Sequence, residues 1–211
     1  MPAMQLIGML DSPYVRRVAV SLRLMGLPFE RQALSVFRTY AQFSAINPVV
    51  KAPTLVCADG TVLMDSSLIL DYAEHLPGLR RSLMPTTLTE RQRTLRVAGL
   101  ALAACEKAVQ IVYEHALRPP DKQHAPWLDR VSEQMRAACA ELEAELVRAP
   151  LACTEDTIDQ GGVCAAVVWD FMQRTLPQGI PAAAHYPALA AYSMQAEALP
   201  AFAAAPYLDN V

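Results

Sequence analysis

Ser12 stands directly before Pro13 in the segment Asp11-Ser12-Pro13-Tyr14-Val15-Arg16-Arg17-Val18. Serine then proline is a strong helix start, because the hydroxyl caps the first turn and proline suits the first helical position. Such a start carries about half a positive charge and spare N–H donors, which suits a bound anion. Toward a thiolate, the Ser12 hydroxyl can donate a hydrogen bond. Two later segments add features of the same kind. In Asn47-Pro48-Val49-Val50-Lys51-Ala52-Pro53-Thr54-Leu55, Pro53 opens an apolar strand, where its missing N–H is tolerated and a cis bond is accessible. In Met64-Asp65-Ser66-Ser67-Leu68, Asp65 and Ser66 begin a helical pattern, and an N-cap accounts for either. Each feature alone is explained by local structure. The three together, at these positions, are far more specific.

The elements that position them alternate. Met4-Gln5-Leu6-Ile7-Gly8 is a short apolar run, and Val15, Val18, Ala19, Leu22 and Met25 then follow helical spacing until Gly26. Residues 28–34 read as a second strand and residues 37–46 as a weaker helix ended by Asn47-Pro48. Two short β runs flank Ala58-Asp59-Gly60 as a hairpin, and Ile69, Tyr72, Ala73 and Leu76 mark a third helix. The order βαβα followed by ββα predicts a mixed sheet with helices packed on it. Residues 77–87 lose the periodicity and read as a linker, which places one domain at 1–78 and a second at 88–211. The second half is helical throughout. Leu95, Ala98, Leu102, Cys105, Val109 and Val112 form one stripe, and Leu128, Val131, Met135, Ala138, Leu142 and Leu146 form another. Further helices are expected over about 159–176 and 187–199, giving an all-helical domain.

Composition narrows the partners. Hydrophobic residues make up 53% of the 211 and charged ones 18%, as in a globular chain. A formal net charge of −3 with scattered Lys and Arg argues against a nucleic-acid or acidic-membrane surface, so a small soluble ligand is expected. Cys57, Cys105, Cys139, Cys153 and Cys164 are widely spaced and never form C-x-x-C, which argues against a disulfide framework or a zinc site and for a cytoplasmic protein. The histidines show no metal-ligand spacing, so no metal is implied. The first ten residues make a poor signal peptide, and Arg23 interrupts the apolar stretch that a twin-arginine reading of Arg16-Arg17 needs. Apolar runs such as Val97 to Cys105 fall far short of the roughly 20 residues of a membrane span.

Ser12-Pro13-Tyr14-Val15 has the shape of the C-P-Y-C redox turn of glutaredoxins with both cysteines replaced. With that turn, the Lys51-Ala52-Pro53-Thr54-Leu55 segment, the Asp65-Ser66 pair and a helical second half, the chain resembles a cytosolic glutathione S-transferase of the serine type from end to end. The resemblance implies a thioredoxin-like N-terminal domain that binds glutathione and an all-helical C-terminal domain that supplies a hydrophobic substrate pocket. It makes Ser12 the thiolate-stabilising catalytic residue and Pro53 the family's cis-proline. Ala52 would exchange backbone hydrogen bonds with the cysteinyl part of glutathione, Asp65 and Ser66 would hold the γ-glutamyl end, and Lys51 would contact the glycyl carboxylate. Glutathione is then the co-substrate, no metal takes part, and the chain is expected as a cytoplasmic homodimer that conjugates small hydrophobic electrophiles in detoxification. Tyr14, Tyr113 and Trp169, with Phe202 and Tyr207, are the aromatic residues offered for the pocket, although aromatics at helical spacing are more often core.

A cysteine thiol has a pKa near ~8.5, and each unit of lowering needs about 1.4 kcal/mol of preferential thiolate stabilisation. A hydroxyl donor and a helix end are enough for one or two units, so no His or Asp partner is required beside Ser12. A thiol oxidoreductase would need a cysteine in the turn, where Ser12 and Val15 stand instead. Two other readings stay open in the sequence. One is a non-enzymatic interaction protein like the family's stringent-starvation and elongation-factor relatives, and the other is a glutathione-dependent isomerase or dehalogenase using the same thiolate. One departure from the family is visible. Its sixth-helix capping box, usually Ser/Thr-x-x-Asp, reads Asp159-Gln160-Gly161-Gly162, so this helix is expected to start less firmly, and Gly162→Asp is expected to add about 0.5–2 kcal/mol.

Overall fold

The apolar run before Gly8 forms β1 (Met4–Ile7), and Ser12 and Pro13 start α1 (Pro13–Leu24) as their types require. There follow β2 (Phe29–Gln32), α2 (Tyr40–Ile46), β3 (Thr54–Val56), β4 (Val62–Met64) and α3 (Ser66–Ala73). The computed structural model describes residues 4–176 and 183–207. The strands make one sheet in the order β2-β1-β3-β4, with β1 and β2 parallel and the other pairs antiparallel. This is the thioredoxin-like arrangement expected from the βαβα-ββα order. Leu6, Ile7, Val15, Val18, Leu22, Phe43, Leu55 and Ile69 are fully buried and form its core. The second helix is shorter than its pattern. Ser35 Oγ accepts from the Phe37 and Arg38 N–H groups, and Thr39 Oγ1 accepts from Ser35 N at 2.7 Å, so residues 35–39 form a side-chain-bonded turn instead.

The helical half contains α4 (Leu88–Leu117), α5 (Ala125–Arg148), α6 (Gln160–Thr175) and α7 (Pro187–Glu197). Thr87 caps the start of α4: its Oγ1 accepts from Glu90 N at 3.3 Å and donates to Glu90 Oε2 at 2.6 Å. The buried face of α4 is Val97, Ala98, Ala101, Ala104, Cys105, Ala108 and Ile111, whereas Leu95 of the expected stripe is exposed. The helix packs on both α5 and α6, and small side chains allow that close double approach. The α5 stripe holds from Val131 to Leu146. α6 is buried nearly all round, as a helix apolar on every face must be.

The start of α6 departs from the sequence expectation. Asp159 Oδ1 accepts from Gly162 N at 2.8 Å, and Thr94 of α4 donates to the other carboxylate oxygen. A Cβ on Gly161 would lie 3.1 Å from Thr94 O, and one on Gly162 would fall on the hydroxyl of Tyr192 from α7. The position that lacks a capping side chain is filled by a tyrosine from another helix. The helix start is thus held by tertiary partners and is not loosened by its glycines.

Contacts divide the described residues into two units, 4–84 with 199–207, and 85–198. The chain therefore returns to the first unit at its end, where α8 (Pro200–Ala203) packs on α1. Phe202 is fully buried there, and the buried Arg16 donates from Nε to Ala205 O at 2.8 Å. The sequence reading placed residues 199–207 with the helical half. Helical pattern alone does not reveal which core an amphipathic tail joins.

Candidate functional site

Ile7 pairs with Thr54, and Thr54 pairs with Met64. This register lines up the last residue of β1, the first of β3 and the last of β4. The turn into α1, the segment entering β3 and the start of α3 therefore meet at one end of the sheet. Gly8 makes the closeness possible: at φ 144° it lies where a Cβ would sit 2.6 Å from Val15 Cγ2 and 3.5 Å from the Ala52 Cβ. Only glycine lets the Ser12 turn and the Ala52 segment approach so closely.

Ser12 is the N-cap of α1, half-buried, with Pro13 at the first helical position. Its Oγ accepts from Val15 N at 3.4 Å, a long bond, and its O–H has no acceptor among the described residues. The hydroxyl thus stands at the positive end of a twelve-residue helix with its donor unused.

Asn47, buried at the end of α2, shapes the next segment. It donates from Nδ2 to Thr54 Oγ1 at 2.8 Å and accepts at Oδ1 from Val49 N at 3.0 Å. Thr54 Oγ1 in turn donates to Lys51 O at 2.7 Å, and Val50 adopts φ 53°. The chain then passes through a cis Ala52-Pro53 bond into β3. Ala52 lies outside the sheet ladder, and its backbone N–H and C=O find no partner among the described residues. Lys51 is exposed beside it.

Asp65 caps α3 with Oδ1 accepting from Ser67 N at 2.9 Å, from a backbone at φ 72°. A non-glycine residue in that region costs on the order of 1 kcal/mol and is characteristic of ligand clamps. Ser66 is buried, and Arg17 of α1 donates from Nη1 to Ser66 Oγ at 3.0 Å and Ser67 Oγ at 3.1 Å. Arg17 ties the first and third polar segments together.

Ser12, Lys51, Ala52, Pro53, Asp65 and Ser66 all lie at this end of the first unit. The aromatic residues are dispersed. Tyr14 is half-buried on α1, Tyr113 is exposed on α4, and Trp169 is packed edge-on against Tyr186, ring centres 5.8 Å apart, inside the helical unit. Gly8, Asn47 and Arg17 were not singled out from sequence. The available signal was Arg17 itself, the second of two consecutive arginines near the start of α1.

The cysteines are free, and four of the five are buried. Burial raises the Cys57 and Cys153 thiols and pushes that of Cys139 up to about 12, so none of these three is a ready thiolate. Among the described residues no cluster of His, Cys, Asp and Glu could hold a metal ion, and no helix is long and apolar enough to cross a membrane.

Comparison with known proteins bears on this geometry. The model of the glutathione S-transferase N-terminal domain family matches residues 6–81. An uncharacterised GST-like protein of Escherichia coli (strain K12), YibF, is 28% identical over 163 residues, covering 77% of this chain and 79% of its own. A glutathione S-transferase of Methylobacterium radiotolerans, solved in complex with glutathione sulfonate, superposes with a TM-score of 0.87 at 27% identity over 100% of this chain and 98% of its own. A glutathione transferase family member from Pseudomonas fluorescens Pf-5, solved with bound S-(propanoic acid)-glutathione, gives 0.80 at 29% identity over 96% and 98%. The sheet order and these relatives agree: residues 6–81 match the glutathione S-transferase N-terminal domain family, and over its whole length the chain is similar to a glutathione S-transferase of known structure.

Proposed function

We propose that the chain binds glutathione, stabilises its thiolate and conjugates it to a small hydrophobic electrophile. The observation that carries this reading is the register Ile7–Thr54–Met64, which gathers an unused serine donor at a helix start, an unpaired backbone segment before a cis-proline and a capped Asp65-Ser66 pair at one end of the sheet. Glutathione offers a matching series of groups. The Ala52 backbone takes the cysteinyl part, Asp65 and Ser66 take the γ-glutamyl end, and Lys51 meets the glycyl carboxylate. Pro53 orients Ala52. The cysteinyl sulfur then lies at Ser12, whose hydroxyl donates to it as the thiol proton leaves to solvent. The thiolate electron pair forms the new C–S bond, and either a leaving group departs with its pair or the adjacent carbon takes up a proton. Tyr14, Tyr113 and Trp169 remain the aromatic residues offered to the electrophile. The active form is a homodimer, and a monomer by sedimentation equilibrium at micromolar concentration would count against that part.

Thiolate absorbance of the glutathione complex against pH tests the reading. A hydrogen bond to a charged group is worth about 1.5–3 kcal/mol, so Ser12→Ala should raise the bound-thiol pKa by about one to two units while leaving affinity nearly intact. Turnover at neutral pH falls and partly recovers in alkali. Superimposable titrations of wild type and Ser12→Ala would reduce Ser12 to a helix cap, and absence of any glutathione binding would refute the function.

A further inference from the structure

Val50 holds a backbone conformation that its residue type opposes. Two non-glycine residues among those described have positive φ, Asp65 at 72° and Val50 at 53°. Asp65 offsets the cost with its own side chain, which accepts from Ser67 N. Val50 has no polar atom to do so, and its branch at Cβ makes the left-handed region least favourable. Strain of this kind persists only where neighbouring groups over-determine the backbone.

Those groups are Asn47 and Thr54. Val50 N donates to Asn47 O at 2.9 Å, which fixes the peptide before Val50. Asn47 Nδ2 donates to Thr54 Oγ1 at 2.8 Å, and that hydroxyl donates to Lys51 O at 2.7 Å, which fixes the peptide between Lys51 and Ala52. Asn47 and Thr54 are buried, so these bonds are shielded from solvent. Lys51 C=O and Ala52 N–H belong to one planar trans peptide and point in opposite directions. The Thr54 hydroxyl, by holding Lys51 O, therefore aims the Ala52 N–H away from itself. With Val50 N and Lys51 O both held, φ of Val50 returns to negative values only if one of the two bonds breaks, and the Lys51-Ala52 peptide then turns.

We propose that Val50 is a strained hinge and Thr54 its positioning residue: the Asn47–Thr54 relay holds Val50 left-handed and thereby keeps the Ala52 N–H turned toward a thiol peptide, so that affinity for the peptide depends on a hydroxyl that acts only through Lys51 and Val50. The inference rests on the glutathione-binding reading above, in which the Ala52 backbone pairs with the cysteinyl part. A Thr54 that served only to stabilise β3 would affect binding equally whatever residue stood at position 50.

A double-mutant cycle read by calorimetry with glutathione separates these roles. Thr54→Val removes the hydroxyl at nearly constant volume and should weaken binding about 5- to 10-fold when Val50 is present, with Thr54→Ser recovering most of the loss. In a Val50→Gly background the same Thr54→Val change should cost less than about twofold, because glycine holds the left-handed conformation without strain. An equal loss in both backgrounds, or no loss beside Val50, would overturn the proposal. Urea denaturation supplies an arm that needs no threonine variant. Val50→Asn, a type that tolerates positive φ, should have a higher urea midpoint than Val50→Thr, which is branched like valine, and the reverse order overturns the proposal. A wild type that binds no glutathione refutes the glutathione reading itself and the inference with it, whereas a wild type that binds and shows no coupling between positions 50 and 54 refutes the inference alone.

Discussion

Replacing Gly162 by alanine is expected to destabilise the helical unit, although helix propensity alone favours alanine there by about 1 kcal/mol. The added Cβ would fall on the Tyr192 hydroxyl, 3.3 Å from Tyr192 Cζ and 3.0 Å from Ile158 Cγ1. Ordinary contact between such atoms is roughly 3.5 Å or more, so the Tyr192 hydroxyl, 2.1 Å from the added Cβ, must withdraw by about 1.4 Å. It has little room. Tyr192 is 6% exposed and donates to Ala152 O at 3.2 Å, and burial pushes its pKa up, so that it stays a donor. Overpacking costs about 1–3 kcal/mol, and a buried group that loses its partner about 1–3 more. Against the propensity gain, the net loss is about 1–5 kcal/mol, a fall of roughly 2–4 °C in Tm for each kcal/mol. Gly162→Asp, favoured by the capping argument alone, should be worse, because a second carboxylate would stand beside Asp159. Urea denaturation of wild type, Gly162→Ala, Tyr192→Phe and the double variant checks the reasoning. In the Tyr192→Phe background the hydroxyl clash is gone, and the alanine should cost less than about 1 kcal/mol. A stabilised Gly162→Ala, or an equal cost in both backgrounds, would refute it.

Asp65→Ala should weaken glutathione binding by about 1.5–3 kcal/mol, the worth of a charge-assisted hydrogen bond, and unchanged calorimetric affinity in a folded variant would leave Asp65 as a helix cap only. Glu145 of α5 accepts from Arg96 of α4 at 2.6 Å and pairs with Arg148, and the Arg96 hydrogen bond foremost holds its carboxyl below the ordinary range. A depressed carboxylate contributes stability that is present above the unfolded value of 4.5 and is lost as pH falls through the lower folded value. Glu145→Gln should therefore flatten the acid limb of stability below that pH, and parallel loss of the urea midpoint between pH 7 and pH 3.5 in wild type and variant would contradict the pairing.

Much of the architecture is legible in local chemistry. Strand and helix periods, Ser12-Pro13 and the Gly26 stop define β1 and α1 within the chain's own neighbourhood, and the same holds for the hairpin through Gly60 and the α5 stripe. Ser12, Pro53 and Asp65-Ser66 can be picked out because caps and strand-entry prolines are short-range features. Residue types alone did not locate α4's buried face, since alanines read as weakly hydrophobic until two packed neighbours require a close approach.

What only the tertiary structure decided depends on partners distant in the chain. Gly162 looks like a missing cap until Tyr192, 30 residues on, occupies its side-chain space. Residues 199–207 have a helical pattern, and their attachment to the first unit depends on Arg16 and a buried Phe202. Arg17 looks like a surface cation until α3 buries it against Ser66, 49 positions away. Sequence period reports which face of an element is apolar, because that is a property of successive residues. It carries no record of which distant group fills a gap or bears a charge, because those energies arise only once the elements have packed.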